Sequence, residues 1–253
     1  MSQNPFLNDS PSSSSLEGRV VIVPGGTGAL GRGVVAHLAA AGAKVHATWW
    51  VESELESFRK EVQEPLGERA ESIALHPTDL GDESAVAGLF AEVEAQDGAP
   101  WGLVHVAGGF AWAPLEASDG AVWQRMVTMN ATTCYLCCRA AATAMVAAGG
   151  GRIVTVAAVP ALERGAANMS AYAASKAAVL NLTESLSREL VGQGITVNAL
   201  VPTTIDTPAN RRDMADADRS TWLAPGEMAR VAAWLLGPDA AVVTGAALTL
   251  SKG

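Results

Sequence analysis

Cysteine is scarce in this chain, and its placement does not favour a metal site. The three cysteines, Cys134, Cys137 and Cys138, all fall within one helical pattern near 118–148. Their CxxC spacing suits a metal or redox site, but no second Cys or His cluster supplies the remaining ligands of a tetrahedral centre. We therefore predict no metal and interpret the cysteines as buried thiols of a cytosolic core.

Basic residues and long apolar runs are also few. The chain carries 17 Lys and Arg against 26 Asp and Glu, a formal net charge of -9, with no basic stripe. This charge disfavours nucleic acid and anionic membranes as partners. The apolar stretch 153–162 is too short to span a bilayer, and 131–148 is interrupted by threonine and by Arg139.

The first residues lack the marks of a signal peptide. They contain Pro5, Pro11 and a run of four serines at 12–15, with neither a basic nor an apolar region. This composition predicts a flexible tail over 1–17 and a soluble, cytoplasmic protein.

The chain does contain a regular alternation of β and α patterns. Strands are predicted near 19–23, 44–49, 71–76, 102–106, 151–157, 195–201 and 247–250, and helices near 29–41, 52–64, 82–95, 118–148, 169–191 and 225–236. With 49% hydrophobic residues among 253, one large core is expected. The alternation predicts a single α/β domain over 18–253, with a doubly wound, seven-stranded parallel sheet flanked by helices. Such sheets bind ligands at the carboxyl ends of their strands.

A glycine-rich turn follows the first predicted strand. The sequence PGGTGALG at 24–31 separates the apolar strand from a helical pattern, and 42–48 then supplies a helix stop and a second strand. The helix directs its free N–H groups toward the turn, which makes an anion site suited to a dinucleotide pyrophosphate. The alternative is a strand-to-helix connection that merely needs flexible residues.

A second feature lies in the run SAYAASK at 170–176. Helical geometry places Tyr172 and Lys176 on one face, where an ammonium favours the ionised form of a phenol. Tyr172 would then exchange a proton near neutral pH. By itself this pair is equally typical of a solvated helix surface.

Together these two features resemble the short-chain dehydrogenase/reductase family, from about residue 18 to the C-terminus. The resemblance implies a Rossmann-type fold, NAD(H) or NADP(H) as cofactor, and Tyr172 as proton donor. It assigns Lys176 to the nicotinamide ribose and to keeping the phenol acidic, and Asn130 to holding a water beside Lys176. The cofactor-binding residues it implies are Gly25, Gly26, Thr27, Gly28, Ala29, Leu30, Gly31, Trp49, Asp79, Leu80, Ala107, Gly108, Gly109, Lys176, Pro202, Thr203, Ile205 and Thr207.

One departure from the family concerns its catalytic serine. About thirteen residues before Tyr172 the chain reads Ala157-Ala158-Val159, with no hydroxyl. Three interpretations follow: a degraded enzyme, replacement by Ser170 or Thr155, or a substrate that needs no such donor.

Other local runs resemble the dihydropteridine reductases of that family, which lack the serine. They are the glycine turn at 25–31, VAGGFA at 106–111, and LVPTTIDTPANRR at 200–212 with its continuation to Trp222. This resemblance implies a quinonoid dihydropterin or a similar flat heterocycle as substrate, under a lid over 206–222. The substrate-pocket candidates are Phe110, Trp112, Ala158 and Val159, with ordinary loop packing as the alternative for the two aromatic residues.

The end of the second strand bears on cofactor choice. NAD-binding relatives carry an acidic residue there, whereas this chain has Thr48, Trp49 and Trp50. Without that acid we expect NADPH to be tolerated, with Trp49 on the adenosine and Arg32 as the nearest cation.

Two other functions stay open for this chain. The chain could be a generic ketone or aldehyde reductase or alcohol dehydrogenase, or a catalytically weak dinucleotide sensor.

Family members pair through two long helices, here 122–145 and 169–191, so a homodimer or homotetramer is predicted. The faces expected to pair include Cys134, Cys138, Ala173 and Ala177.

Overall fold

Seven parallel strands form one sheet in a computed structural model of the chain, which describes residues 16–163 and 165–252. The strands are β1 (Val20–Val23), β2 (Lys44–Trp49), β3 (Ile73–Pro77), β4 (Gly102–His105), β5 (Gly151–Val156), β6 (Ile195–Pro202) and β7 (Ala247–Leu250). Their order across the sheet is β3-β2-β1-β4-β5-β6-β7. The predicted doubly wound parallel sheet is therefore confirmed.

Ten α-helices connect or follow these strands in the described residues. They are α1 (Ala29–Ala40), α2 (Glu54–Phe58), α3 (Glu64–Leu66), α4 (Glu83–Asp97), α5 (Gly120–Met126), α6 (Thr133–Ala148), α7 (Val159–Leu162), α8 (Ser170–Leu190), α9 (Pro208–Asp213) and α10 (Pro225–Leu236). Two π-helical segments, Arg59–Gln63 and Val127–Thr132, join α2 to α3 and α5 to α6. The predicted helix near 118–148 is thus one continuous stretch with a π turn inside it.

The central strands are apolar on both faces because helices cover both sides of the sheet. Every residue of β1, β5 and β6 is buried. One core cluster packs α1 and α10 against the sheet, and the other packs α4, α6 and α8 against it. Near-continuous hydrophobic strands are what a parallel sheet with two covered faces requires.

Leu16 is the first residue that the structure describes. This side chain is 1% exposed and belongs to the core, and its backbone N–H donates to the carbonyl of Ala41 at 3.1 Å. Gly18 donates in the same way to Gly42. The domain therefore includes Leu16, two residues before the predicted boundary, and residues 1–15 of the predicted tail lie outside the described residues.

The long helix over 120–148 directs its cysteines toward the sheet. This corrects the expectation that Cys134 and Cys138 lie on a face that pairs with a second copy. Cys134 and Cys138 are fully buried against the sheet, so they do not lie on an exposed pairing face. Ala173 on α8 is also buried, at 5% exposure. Tyr135, at 50% exposure, lies on the exposed side of α6, and Ala177 is exposed on α8. The expectation is therefore wrong for Cys134, Cys138 and Ala173, which are buried in the fold, and stays a prediction for Ala177.

By length and composition, the same stretch, Gly120–Ala148, is the one described helix long and apolar enough to cross a membrane. Its buried residues belong to the core cluster that packs on the sheet. Core helices of globular folds meet the same criteria, so this finding is weak evidence for a membrane span.

Candidate active site

The carboxyl ends of β1 and β4 bring the glycine turn against the segment after β4. The N–H of Val106 donates to the carbonyl of Pro24 at 3.1 Å. Gly25 has a φ of +79°, and a Cβ placed on it would lie 2.7 Å from the Cα of Ala107. Glycine is required here both for its backbone conformation and for this close approach.

The turn leaves the start of α1 available for an anion. A Cβ on Gly31 would overlap the carbonyl oxygen of Gly25, so the helix and the turn are in direct backbone contact. Gly28 is the N-cap of α1, and no side chain caps the helix and no acidic residue lies in its first turn. Free N–H groups at a helix N-terminus suit a pyrophosphate. The residues present therefore fit the diphosphate of a nicotinamide dinucleotide.

Charged side chains meet beside Thr27 of this turn. Its hydroxyl, which is buried, donates to Glu54 Oε2 at 2.7 Å. The Nη1 of Arg32 donates to the Thr27 carbonyl at 2.9 Å, and its Nε donates to Glu61 Oε2 at 2.8 Å. Arg32 is 8% exposed and already paired, so its predicted role as the cation nearest to an adenosine phosphate would require it to leave Glu61.

Other predicted cofactor residues lie at the same edge. Trp49 is the half-buried last residue of β2, while Thr48 turns inward and accepts a hydrogen bond from the Gly25 N–H at 2.9 Å. Asp79 is exposed after β3, and its Oδ1 accepts from the Gly81 N–H at 2.9 Å. Leu80 follows Asp79 and packs against the second core cluster.

Tyr172 and Lys176 lie one turn apart on α8, but they are not paired in this structure. Lys176 is 6% exposed, and its Nζ donates to the carbonyl of Val156 at 2.8 Å. Burial lowers the pKa of Lys176 to about 8 and raises the pKa of Tyr172 to about 12. No contact with the Lys176 ammonium offsets burial at Tyr172 in this structure, so the acidic phenol stays a prediction for the dinucleotide-bound protein.

Asn130 holds the segment after β4 to α8. It is buried in the π turn between α5 and α6, where its Oδ1 accepts from the Gly109 N–H at 2.9 Å. Its Nδ2 donates to the Gly109 carbonyl and to Ser175 Oγ, both at 3.0 Å. The two amide protons therefore bond to protein atoms, and the water that Asn130 is predicted to hold beside Lys176 stays a prediction. A Cβ on Gly108 would approach both Asn130 and Lys176, so these groups converge there.

Apolar side chains occupy the position where the family's catalytic serine is expected. Ala158 is 6% exposed and precedes α7, in which Val159 is half-buried. Thr155 is fully buried, and its hydroxyl bonds to that of Thr183 at 2.8 Å, so it is unavailable to a substrate. Ser170 lines a groove of about 410 Å³ between α7 and α8, beside Ala173 and Ala174.

The two predicted pocket aromatics, Phe110 and Trp112, have different surroundings in the structure. The ring of Phe110 meets the ring of Tyr172 edge-on, with centroids 4.9 Å apart and an interplanar angle of 83°. Phe110 nevertheless keeps 51% of its surface exposed. Trp112 is 60% exposed and makes no ring contact among the described residues.

Segment 203–223, which contains the predicted lid, is a mostly exposed connection whose two ends pair with each other. Ile205 pairs with Leu223 in an isolated parallel bridge, and Asp206 donates to the Leu223 carbonyl. Inside it, Thr207 caps α9 by accepting from the Asn210 N–H at 3.2 Å. Pro202 ends β6, and Thr203 donates to Leu250 of β7.

Sequence reasoning missed His105, the last residue of β4. It is 2% exposed, and its Nε2 has no partner among the described residues. Burial, with a smaller effect of Lys176, lowers its pKa to about 3. A lone His in an apolar strand gives no signal in the sequence, because the same pattern is typical of an ordinary core residue.

Known proteins resemble this chain over most of its length. A model of the short chain dehydrogenases matches residues 19–218. The 2,3-dihydroxy-2,3-dihydro-p-cumate dehydrogenase of Pseudomonas putida is 30% identical, covering 94% of this chain and 95% of the relative. Cis-4-hydroxycyclohexanecarboxylate dehydrogenase of Sinomonas cyclohexanicum is 34% identical, with 93% and 96% covered. A solved short-chain type dehydrogenase/reductase from Mycobacterium ulcerans superimposes with a TM-score of 0.86 at 30% identity, covering 93% and 89%.

Proposed function

The chain belongs to the short-chain dehydrogenase family, and from that premise we propose that this oxidoreductase exchanges hydride between NAD(H) or NADP(H) and a planar ring substrate. When bound, the dinucleotide supplies the hydride donor or acceptor. The glycine turn and the N-terminus of α1 bind its diphosphate, and Lys176 binds the nicotinamide ribose. Tyr172 transfers the proton at its phenolic oxygen.

Two contacts support these roles. Asn130 fixes Gly109 and, through Ser175, the start of α8, so the segment after β4 and the helix of Tyr172 and Lys176 are held together. Lys176 Nζ reaches the Val156 carbonyl from that helix, at the carboxyl end of β5, where such sheets bind ligands. A ribose hydroxyl there would replace that carbonyl as the partner of the buried ammonium.

The observation that carries the substrate class is the apolar surrounding of Tyr172. Ala158 stands where a family member would use a serine, and Thr155 does not replace it. Phe110 offers an exposed ring edge-on to the phenol. A flat ring that stacks on Phe110 and needs only one proton donor matches this site. We therefore favour a quinonoid dihydropterin or a similar heterocycle, as the local sequence resemblance indicates.

The named relatives support a second candidate. Both are dehydrogenases whose names denote hydroxylated rings. Oxidation of a ring alcohol would use Tyr172 as proton acceptor in the reverse direction. It would also need a donor for the alcohol oxygen, and the exposed Ser170 is the candidate that the sequence offers.

A substrate panel tests the two candidates. NADH and NADPH oxidation is measured with quinonoid dihydropterin generated in place, beside ketones, aldehydes and quinones, and NAD reduction is measured with cyclic diols and cyclohexanols. Turnover confined to the dihydropterin or another flat heterocycle is the expected result. Turnover on ring alcohols or simple carbonyls alone would reject the planar acceptor and favour the second candidate.

A further inference from the structure

The side chain that discriminates between NAD(H) and NADP(H) usually lies at the end of the second strand. In dinucleotide-binding folds, an acidic side chain about 20 residues after the glycine turn accepts from the adenosine ribose hydroxyls, and its charge repels the extra phosphate of NADP. Here Thr48 bonds to Gly25, and the next residues are Trp49 and Trp50. The strand end itself therefore supplies no carboxylate.

The carboxylate comes instead from the start of α2. Glu54 reaches back across the turn, and its Oε2 accepts from the Thr27 hydroxyl at 2.7 Å. Thr27 is 1% exposed, while Glu54 is only half-buried. The carboxylate of Glu54 thus lies beside Thr27 of the turn, and part of it stays exposed to solvent. We propose that Glu54 replaces the missing acid, binds the adenosine ribose and selects NAD(H) over NADP(H).

The charges around Thr27 also favour NAD(H) over NADP(H). Arg32 contacts the other side of this residue, through its carbonyl, but Glu61 neutralises the guanidinium at 2.8 Å. The three side chains therefore leave one net negative charge at the turn. A dianionic phosphate placed there would be repelled by Glu54, and the one cation among these three side chains is already paired with Glu61.

This inference rests on the proposed function, since it concerns the same dinucleotide. It reverses the expectation from sequence that NADPH is tolerated, which took account of the strand end and of Arg32 but not of α2. A purely structural role for Glu54, tying α2 to the glycine turn, is the competing explanation. Glu54→Gln separates the two, because the amide oxygen still accepts from Thr27 while the charge is removed.

The experiment measures dissociation constants of NADH and NADPH by fluorescence titration, without turnover. The wild type is expected to bind NADH at least about tenfold more tightly than NADPH, and Glu54→Gln to reduce that ratio by about tenfold, chiefly by strengthening NADPH binding. Glu56→Gln is the matched control, since Glu56 lies on the same helix but pairs with exposed Lys60. It should keep the wild-type ratio.

Releasing Arg32 provides a second test. Glu61→Gln removes its carboxylate partner, so the double variant with Glu54→Gln should bind NADPH more tightly than either single variant. Equal affinities for both dinucleotides in the wild type, or an unchanged ratio in Glu54→Gln, would overturn the role of Glu54 and leave the proposed function intact. Failure of the wild type to bind either dinucleotide would overturn both.

Discussion

Lys176 donates from its Nζ to the backbone carbonyl of Val156, 2.8 Å away, instead of facing the phenol of Tyr172. The ammonium therefore bonds to the end of β5, at the edge where the dinucleotide would bind. The active form proposed above needs Lys176 to leave this carbonyl for a ribose. Several consequences of this resting arrangement are measurable.

The first concerns the ionisation of Tyr172. Burial holds its pKa at about 12 in this state, and a repositioned Lys176 should lower it when a dinucleotide binds. The chain has two tyrosines, so Tyr135→Phe leaves Tyr172 as the sole reporter. We expect the single tyrosine of this variant to titrate above pH 11 alone and at least about one pH unit lower with NAD(H), by ultraviolet or NMR titration. The same pKa near 10 with and without the dinucleotide would contradict this account.

The second concerns the cost of burying Lys176. Burial lowers its pKa from 10.5 to about 8, which corresponds to about 3 kcal/mol of unfavourable free energy in the folded state below pH 8. Lys176→Met should therefore abolish turnover yet raise the free energy of unfolding by about 1–3 kcal/mol at pH 7, measured with urea. Lys60→Met, at an exposed position, should change it by less than about 0.5 kcal/mol. Destabilisation by Lys176→Met would show that the Val156 contact outweighs the burial cost.

The third concerns acid lability. His105 has a folded-state pKa of about 3 against an ordinary 6.5, so the unfolded chain takes up a proton between these values that the folded protein does not. Stability therefore falls as pH decreases from 6.5 toward 3. Between pH 7 and pH 4.5 the wild type should lose about 2–3 kcal/mol more than His105→Asn in urea unfolding. Parallel losses in the two proteins would mean that His105 has the same pKa in the folded and unfolded chain, which would contradict the shift.

The fourth concerns Phe110 as a substrate contact. Phe110→Ala should raise KM for a flat ring substrate about three- to tenfold, because an aromatic contact is worth about 0.5–1.5 kcal/mol, while Phe110→Trp should keep it. The Kd for NADH should stay within about twofold. Trp123→Ala removes an aromatic that is also half exposed, on α5, and serves as control. An unchanged KM in Phe110→Ala would assign that ring to loop packing.

The fold could be predicted closely because local and long-range signals agree. β2 and β7 lie at 44–49 and 247–250, as the β patterns predict. The π turn over Val127–Thr132 escaped prediction, since one extra residue per turn hardly alters the apolar periodicity of a long helix. Residues 159–162 and 208–213 escaped as well, because helices of four and six residues are too short for a periodic pattern.

Residues of the candidate site could be proposed from the sequence, but their contacts could not. Tyr172 and Lys176 follow from type and spacing, whereas Asn130 came from the family resemblance, and their catalytic roles stay predictions. The bonds of Lys176 to Val156 and of Glu54 to Thr27 join residues 20 and 27 positions apart. Such contacts depend on how whole elements pack and on the rotamers chosen, and no local pattern in the sequence encodes either.

The central claim is that Tyr172 transfers the proton during hydride exchange. Tyr172→Phe is compared with the wild type and with Tyr135→Phe, using the best substrate of the panel and the preferred dinucleotide. The account predicts that Tyr172→Phe binds the dinucleotide within about twofold of the wild type and turns over about 10²–10⁴-fold more slowly, whereas Tyr135→Phe is fully active. Wild-type turnover in Tyr172→Phe would contradict the claim.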